Sequence, residues 1–172
     1  MFRTFRTPGL AVGLIAFVLS STVGGGAPAG TLDIYFLDMV GGGSTLIVTP
    51  AGESILIDTG SLEPQGRDAG RILQAARDAG LEKIDHLVTT HFHLDHFGAI
   101  LPVVEQLPVG RFYDKGAPPP EHEQDSDWYR QLRPLYDKAT GGKVTAIRAG
   151  DDLELKTAGT GVGALTLDVG EL

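Results

Sequence analysis

The sequence predicts an α/β layered domain, because two kinds of segment alternate along it. Short apolar runs rich in branched side chains are typical of strands, and segments whose apolar residues recur every three or four positions are typical of helices. The chain of 172 residues is 42% hydrophobic and 21% charged, which suits one globular domain with a core. In order, the segments predict three strands, a helix, a strand, a helix, a strand, a helix and two strands.

The first three predicted strands occupy residues 31–38, 44–49 and 54–58. The sequence VGGGS separates the first two, and PAGE joins the second to the third as a hairpin. All three runs are apolar on both faces, which predicts strands that are covered on both sides. Gly41, Gly42 and Gly43 lack the Lys-Ser/Thr pair of a phosphate-binding loop, so a tight turn is favoured over a phosphate cradle.

Two predicted helices flank the next strand. Apolar residues recur at helical spacing from Ala69 to Ala76, and Gly80 is suited to cap the end of that helix. Residues 84–90 are again an apolar run of strand length. Residues 99–107 predict the second helix, which begins between residues 98 and 101 because Pro102 is tolerated only in a first turn.

The last third of the chain predicts one strand, one helix and two short strands. Residues 110–114 form the strand, and a polar, proline-rich loop follows at residues 116–127. Residues 127–139 predict a helix with Trp128, Leu132 and Leu135 on one face and a kink at Pro134. The final strand candidates lie within residues 143–156 and 164–169.

The first 29 residues have the layout of a secretory signal peptide. Arg3 and Arg6 give a basic start, residues 9–20 are apolar but short for a bilayer span, and Ala27 to Ala29 form an A-x-A cleavage site. We therefore expect cleavage near Ala29, a secreted or periplasmic domain of residues 31–172, and no stable membrane association after cleavage. An uncleaved membrane anchor is the alternative, and either interpretation places the domain outside the cytoplasm.

Charge and cysteine content exclude several functions. Without Arg3 and Arg6 the chain keeps 12 basic residues against 22 acidic ones, a net charge of −10. An acidic body repels phosphate backbones, so general nucleic-acid binding is disfavoured and a small-molecule substrate is expected. Because the chain has no cysteine, any metal must be bound by His, Asp, Glu or water.

Three of the five histidines lie in the sequence HFHLDH at residues 91–96. The preceding strand and the following proline predict a loop at the carboxyl end of a strand, where α/β proteins place their sites. His91 and His93 are two residues apart in an extended stretch, so they point the same way and can converge on one metal ion. Asp95 and His96 follow at the turn and can serve a neighbouring ion. Neutral imidazoles and a carboxylate are the ligands that zinc, iron or manganese prefer.

The chain resembles a known family in two motifs. The sequence THFHLDH at residues 90–96 matches the H-x-H-x-D-H signature of the metallo-β-lactamase fold hydrolases, and LIDTG at residues 56–60 matches the Asp-Thr-Gly that precedes it. Residues 35–60 look most like the extracellular β-lactamase-like domains related to those of DNA-uptake competence proteins. The resemblance covers residues 32–114 well and the rest loosely, and it implies an αββα sandwich with a two-metal site at one edge.

The resemblance also implies roles for individual residues. His91 and His93 would bind a first zinc ion and Asp95 and His96 a second, with iron or manganese as alternatives. Asp58 would orient the loop and its ligands, and a strand-end carboxylate that caps a turn is its other interpretation. Two metals roughly 3.5–4 Å apart share a water and lower its pKa, and Asp95 would help to orient this nucleophile. The implied function is an exported metal-dependent hydrolase with a dinuclear site, acting on a carbonyl or phosphoryl centre.

The sequence departs from the family pattern after residue 114. The family continues with a third His, a bridging Asp and a last His, whereas here only His122 follows, in a loop where we interpret it as solvated. Asp168 is interpreted as a strand-end residue. We therefore expect only the N-terminal part of the sandwich, which a downstream segment or a partner completes. The alternative function is a catalytically inactive, truncated metal-binding or interaction module.

Three further features have structural interpretations. His86 lies within a predicted strand and is expected to be structural. Trp128, Tyr129 and Tyr136 are expected to serve helix packing, although they could line a substrate cleft. The acidic run at residues 121–127 lacks the spacing of a calcium loop, so a solvated loop is favoured.

Overall fold

The computed structural model describes residues 30–63 and 65–156. The predictions for residues 1–29 and 164–169 lie outside this range. The strands are β1 (Asp33–Phe36), β2 (Thr45–Val48), β3 (Ser54–Ile57), β4 (Ile84–Thr89), β5 (Val109–Asp114) and β6 (Val144–Ala146). The helices are α1 (Arg67–Asp78), α2 (Leu94–Phe97), α3 (Ile100–Val104), α4 (Glu121–Gln124) and α5 (Asp127–Thr140).

The six strands form one sheet in which the spatial order is the chain order, β1 to β6. Strands β1, β2 and β3 are antiparallel, and β3, β4, β5 and β6 are parallel. The predicted β2–β3 hairpin is confirmed: the Thr49 amide donates to the Glu53 carbonyl at 2.8 Å, and Gly52 takes the left-handed conformation in the turn with a φ of 75°. The layered α/β class is therefore confirmed.

The end of α1 follows the predicted glycine cap. Gly80 has a φ of 71°, its amide donates to the Arg77 carbonyl at 3.0 Å, and the Leu81 amide donates to the Ala76 carbonyl at 2.8 Å. This pair of bonds satisfies carbonyls that the helix end leaves without partners. It also turns the chain directly into β4, whose carboxyl end carries the histidine motif.

The expectation that residues 91–96 lie wholly outside a helix is wrong for their second half. His91 to His93 lie outside any helix or strand, and His93 is extended, but α2 begins at Leu94 and contains Asp95 and His96. Pro102 disrupts only the turn that precedes it, so it does not prevent an independent one-turn helix eight residues upstream. Helix α3 begins at Ile100 with Pro102 in its first turn, as predicted.

The acidic loop also contains a helical turn that the sequence did not predict. Helix α4 spans four residues after Pro120 and is separated from α5 by Asp125 and Ser126. The Ser126 hydroxyl accepts a hydrogen bond from the Tyr129 amide at 3.3 Å and so caps α5. Helix α5 is confirmed where it was predicted, with Pro134 inside it.

Helices α1, α3 and α5 share a core with one face of the sheet, and a smaller cluster lies on the other face. The largest fully buried side chains are Tyr136, Phe97, Leu46, Ile55, Leu56, Ile72, Ile84 and Leu87. Strands β2 and β3 are covered on both faces, as predicted. The same prediction is wrong for β1, where Ile34 is 48% and Phe36 84% exposed. As the edge strand of the described sheet, β1 has one neighbour only, so apolar side chains alone do not ensure its burial.

No helix in the described part of the chain is long and apolar enough to cross a membrane.

Candidate metal centre

The candidate centre is built where the parallel strands β3 and β4 end side by side. Asp58 directly follows β3, and its amide donates to the Val88 carbonyl of β4 at 2.8 Å. Asp58 has a φ of 57° and is the only non-glycine residue with a positive φ among the described residues. Aspartate tolerates this left-handed conformation better than most residues. Strain of this kind is characteristic of functional sites.

The buried Asp58 carboxylate connects the chain on both sides of the histidine loop. Its Oδ1 accepts from the Thr90 amide at 2.8 Å, and its Oδ2 lies 2.7 Å from the Thr90 hydroxyl and 2.8 Å from His96 Nδ1. The hydrogen bond to Asp58 raises the pKa of His96, because the nearby carboxylate favours the imidazolium. Asp58 thus orients the loop, in addition to turning the chain at the end of a strand.

This hydrogen-bond network determines which histidine nitrogens face outward. The Thr90 hydroxyl has one proton, which it donates to Asp58, so it accepts from Nδ1 of His91 at 3.0 Å. His91 Nε2 is then free to accept, and so is Nε2 of His96, whose Nδ1 donates to Asp58. Metal-binding histidines in proteins almost always donate their other ring nitrogen in this way.

His91 and His93 meet at a separation that suits a metal ion. His91 Nε2 lies 3.1 Å from His93 Nδ1. Two nitrogens that each lie 2.0–2.1 Å from a tetrahedral zinc ion are about 3.3 Å apart, so the pair fits such an ion with a small adjustment. The centroid of the His96 ring lies 3.9 Å from that of the His91 ring, with the two planes tilted by 47°. Burial, together with repulsion from His96 and His93, lowers the pKa of His91 and favours its neutral, ligating form.

Asp95 faces the glycine turn that precedes β2. A methyl group on Gly41 would come within 3.7 Å of Asp95 Oδ2, and one on Gly42, which has a φ of 52°, would overlap the Asp95 carbonyl. The predicted tight turn is therefore confirmed, and it also packs directly against the histidine motif. The close approach requires glycine at position 42. The Asp95 carboxylate has no hydrogen-bond partner among the described residues.

The structure adds to the site Glu123 and Lys115, which the sequence did not indicate, and Trp128, which the sequence offered only as an alternative to helix packing. Glu123 of α4 lies 3.2 Å from His93 through Oε2 and Nε2, and the Trp128 ring meets the His93 ring edge-on at 5.9 Å. Lys115 lines a cavity of about 320 Å³ beside the histidines. That cavity is bounded by His91, Phe92, His93, Lys115, Pro119, Pro120 and Glu123.

The other sequence predictions for this region agree with the structure only in part. Tyr129 and Tyr136 are buried in the helix core, as predicted, and Trp128 packs partly against the same core and also lies at the site. His122 is 81% exposed, which agrees with a solvated residue, although it belongs to a helix. Glu123 is not simply a solvated member of the acidic run, because it contacts His93. No sequence pattern connects Glu123 to a histidine 30 positions earlier.

His86 is structural, as expected from its place within β4. It is buried, with Nδ1 3.1 Å from the Tyr113 hydroxyl and Nε2 3.0 Å from Glu53. Both ring nitrogens are therefore occupied on the face of the sheet opposite to the main core. His86 does not contribute to the histidine centre.

Among the described residues, no group of three or more His, Asp or Glu side chains is already assembled around one metal position. The motif instead offers the pair His91 and His93, with His96 and Asp95 next to it. Asp168 lies outside the described residues.

Comparison with known proteins gives one family match. The model of the family described as "Metallo-beta-lactamase superfamily" matches residues 38–170. No curated protein matches the chain.

Two solved structures illustrate the structural likeness. The first is MEM-A1, a subclass B3 metallo-beta-lactamase from a soil metagenome library, with a TM-score of 0.51, 23% identity, and coverage of 71% of this chain and 46% of that chain. The second is a motif mutant of a metallo-beta-lactamase from Cronobacter sakazakii, with a TM-score of 0.40, 26% identity, and coverage of 53% and 33%. The chain therefore spans less than half the length of both, and the likeness to MEM-A1 is one of fold.

Proposed function

The chain belongs to the metallo-beta-lactamase superfamily, and on this premise we propose that it is an exported metal-dependent hydrolase that uses a metal-activated water at a dinuclear site. His91 and His93 would hold one zinc ion, and Asp95 and His96 a second, with iron or manganese as alternatives. The observation that carries the proposal is the 3.1 Å approach of His91 Nε2 to His93 Nδ1, beside a His96 whose Nδ1 is bonded to Asp58.

The chemistry that bound ions supply is Lewis-acid activation of water at neutral pH. The chain itself supplies the orientation. Asp58 and Thr90 fix the rings of His91 and His96, so these ligands need little reorganisation when an ion binds. Asp95, whose carboxylate has no partner among the described residues, is available both as a ligand and as an acceptor that orients a water molecule.

The cavity beside the histidines supports a small-molecule substrate. Its volume of about 320 Å³ is at the lower end of the range for ligand pockets. Phe92, Pro119 and Pro120 give it apolar walls, and Lys115 is the one cation among its lining residues. We infer that the substrate carries an anionic group near its scissile bond, such as a carboxylate or a phosphate, which Lys115 attracts. Lactams, thioesters, phosphodiesters and lactones with such a group all fit this description.

Export and completion of the site are further parts of the proposal. The basic start, apolar stretch and A-x-A site of residues 1–29 support secretion or periplasmic targeting, as does the resemblance to extracellular domains of DNA-uptake competence proteins.

A catalytic zinc ion usually has three protein ligands plus water, whereas the motif offers two for each ion. We propose that residues outside the described range, or a partner, supply the remaining metal ligands.

Export has a test of its own. Mass spectrometry of the exported protein should find a mature start near Gly30, and an intact Met1 on a cytoplasmic protein would contradict export.

The proposed function is tested by zinc binding and turnover measured together. The purified chain is dialysed against zinc, its metal content is determined by elemental analysis, and a panel of lactam, thioester, phosphodiester and lactone substrates is assayed. His122→Ala is the matched control, because His122 is an exposed histidine outside the motif. We expect weak zinc uptake and little turnover in the purified wild type and in this control, and full zinc binding with hydrolysis of at least one anionic substrate class once the segment or partner that supplies the remaining ligands is added. Absence of zinc from the wild type would overturn the proposal.

A catalytically inactive metal-binding or interaction module is the second candidate. It is favoured by one observation: no three potential ligands are assembled in the described part of the chain. The same experiment separates the two functions, since zinc uptake without turnover of any substrate class in the panel supports the inactive module.

A further inference from the structure

His93 is held differently from the other two histidines of the motif. His91 and His96 are bonded through Thr90 or directly to the buried Asp58. The His93 side chain is 51% exposed, and apart from His91 its one hydrogen-bond partner among the described residues is Glu123. An exposed imidazole with no partner on its outer nitrogen would be free to rotate and to exchange tautomers.

Glu123 contacts the nitrogen that points away from His91. Its Oε2 lies 3.2 Å from Nε2 of His93, whereas Nδ1 of His93 faces His91 Nε2. A carboxylate on the outer nitrogen favours the proton at Nε2. In that tautomer Nδ1 keeps its lone pair, so that His91 Nε2 and His93 Nδ1 both direct lone pairs at the candidate metal position instead of sharing a proton. This placement also argues that Glu123 is not itself a ligand of that ion.

We propose that Glu123 is a positioning residue, which selects the ligating tautomer of His93 and fixes its ring. The Trp128 ring, edge-on to His93 at 5.9 Å, limits rotation on another side. The inference rests on the proposed function, because the purpose of the contact is to present Nδ1 to a metal ion.

The position of Glu123 is itself well determined. Its carbonyl accepts hydrogen bonds from the Ser126 amide at 3.0 Å and from the Ser126 hydroxyl. Ser126 in turn caps α5, which Tyr129 and Tyr136 anchor against Phe92, the residue between His91 and His93. The α4–α5 corner thus connects Glu123 rigidly to the motif from the opposite side to Asp58.

The test compares Glu123→Ala, Glu123→Gln and the wild type, with Glu121→Ala as the matched control, because Glu121 is an exposed glutamate of the same helix. Zinc affinity is measured by competition with a chelator. The tautomer of His93 is read from the nitrogen chemical shifts of its ring in the metal-free protein, at about pH 8, where a histidine of ordinary pKa is neutral.

In Glu123→Ala we expect a roughly 10- to 100-fold loss of zinc affinity and a shift of His93 from the Nε2–H form to a mixture. Glu123→Gln keeps an acceptor and should lie between Glu123→Ala and the wild type, and Glu121→Ala should match the wild type. Because the tautomer measurement needs no metal, it remains decisive even if the wild type binds no zinc and the proposed function fails. Ring shifts of His93 that are identical in Glu123→Ala and the wild type would overturn the inference, and so would an unchanged zinc affinity in a wild type that binds zinc.

Discussion

Nδ1 of His96 lies 2.8 Å from Oδ2 of Asp58, although the two residues are 38 positions apart in the chain. The same carboxylate accepts two hydrogen bonds from Thr90 at the start of the histidine motif. Asp58 therefore holds both ends of a seven-residue segment, and one buried charge orients His96 directly and His91 through the Thr90 hydroxyl. The local arrangement of this segment depends more on Asp58 than on any contact within the motif.

Replacing Asp58 should weaken both the fold and metal binding. In Asp58→Ala three donors lose their acceptor and alanine must adopt a φ of 57°, so we expect unfolding to become easier by about 2–4 kcal/mol. Asp58→Asn tolerates the left-handed conformation and should cost less stability, but it removes the charge and should lower zinc affinity by roughly 10- to 100-fold. Urea denaturation and chelator competition measure the two effects. Unchanged zinc affinity in both variants would show that Asp58 only caps a turn.

Replacing both His91 and His93 by alanine should abolish binding of the first zinc ion. The reason is that no other imidazole among the described residues faces the same point. His86→Ala is the control, because His86 is buried and bonded to Glu53 and Tyr113 on the other face of the sheet. We expect that variant to lose stability but to keep its zinc. Elemental analysis decides the question, and a double variant that retains zinc would show that the ligand assignment is wrong.

Gly42→Ala should disrupt the motif from outside it. The added methyl group would overlap the Asp95 carbonyl, and the φ of 52° is unfavourable for alanine. Gly43→Ala is the matched control, because Gly43 is the next residue in the sequence and has open space where its Cβ atom would lie. We expect a lower melting temperature and weaker zinc binding in Gly42→Ala only. Equal behaviour of the two variants would mean that the glycine turn does not constrain the Asp95 region.

Lys115→Ala should alter the recognition of anionic substrates. Because Lys115 is the one lysine or arginine that lines the cavity beside His91 and His93 in the described part of the chain, its loss should raise KM several-fold for a carboxylate- or phosphate-bearing substrate. The KM for an uncharged analogue should change little. Lys143→Ala, an exposed lysine that does not line this cavity, is the control. The same rise in KM for the charged and uncharged substrates would contradict the proposed role.

Acid should destabilise the fold partly through Asp85. Burial alone would raise the pKa of Asp85, but hydrogen bonds from Lys83 and Ser54 outweigh it and lower the pKa. A lowered pKa in the folded protein contributes stability above the ordinary aspartate pKa, and this contribution is lost as the pH falls through the lowered value. Asp85→Asn should therefore show a shallower loss of stability below about pH 4. Denaturation at a series of pH values measures this, with Asp152→Asn, an exposed aspartate, as the control.

Local sequence patterns predicted most of the fold because the elements that they indicate are local. The apolar runs of β2, β3 and β4 and the helical spacing from Ala69 to Ala76 predict their structures without tertiary information. The exposure of the β1 side chains could not be predicted in this way, because Ile34 and Phe36 are as apolar as the residues of β2. Burial depends on what lies against a strand, which its own composition does not determine.

The candidate site was predictable where its residues are close in sequence and not where they are distant. His91, His93, Asp95 and His96 form one short motif, and Asp58 belongs to a second motif at a strand end. Glu123 comes from a four-residue helix with no periodicity to indicate it, and it reaches His93 only because α5 packs against Phe92. The role of Glu123 therefore follows from the packing of α5.

The strand order of the sheet has a consequence for how the protein is made. Since each of the six described strands pairs with the one that follows it in the chain, a nascent polypeptide can extend this part of the sheet one strand at a time, and none of the six must insert between two that are already paired. Pairing of β4 with β3 brings Asp58 to Thr90 and His96 when synthesis has passed only the first hundred or so residues. Glu123 and α5 are made afterwards. We therefore expect Asp58, His91 and His96 to be oriented early in folding, and His93 to be fixed last.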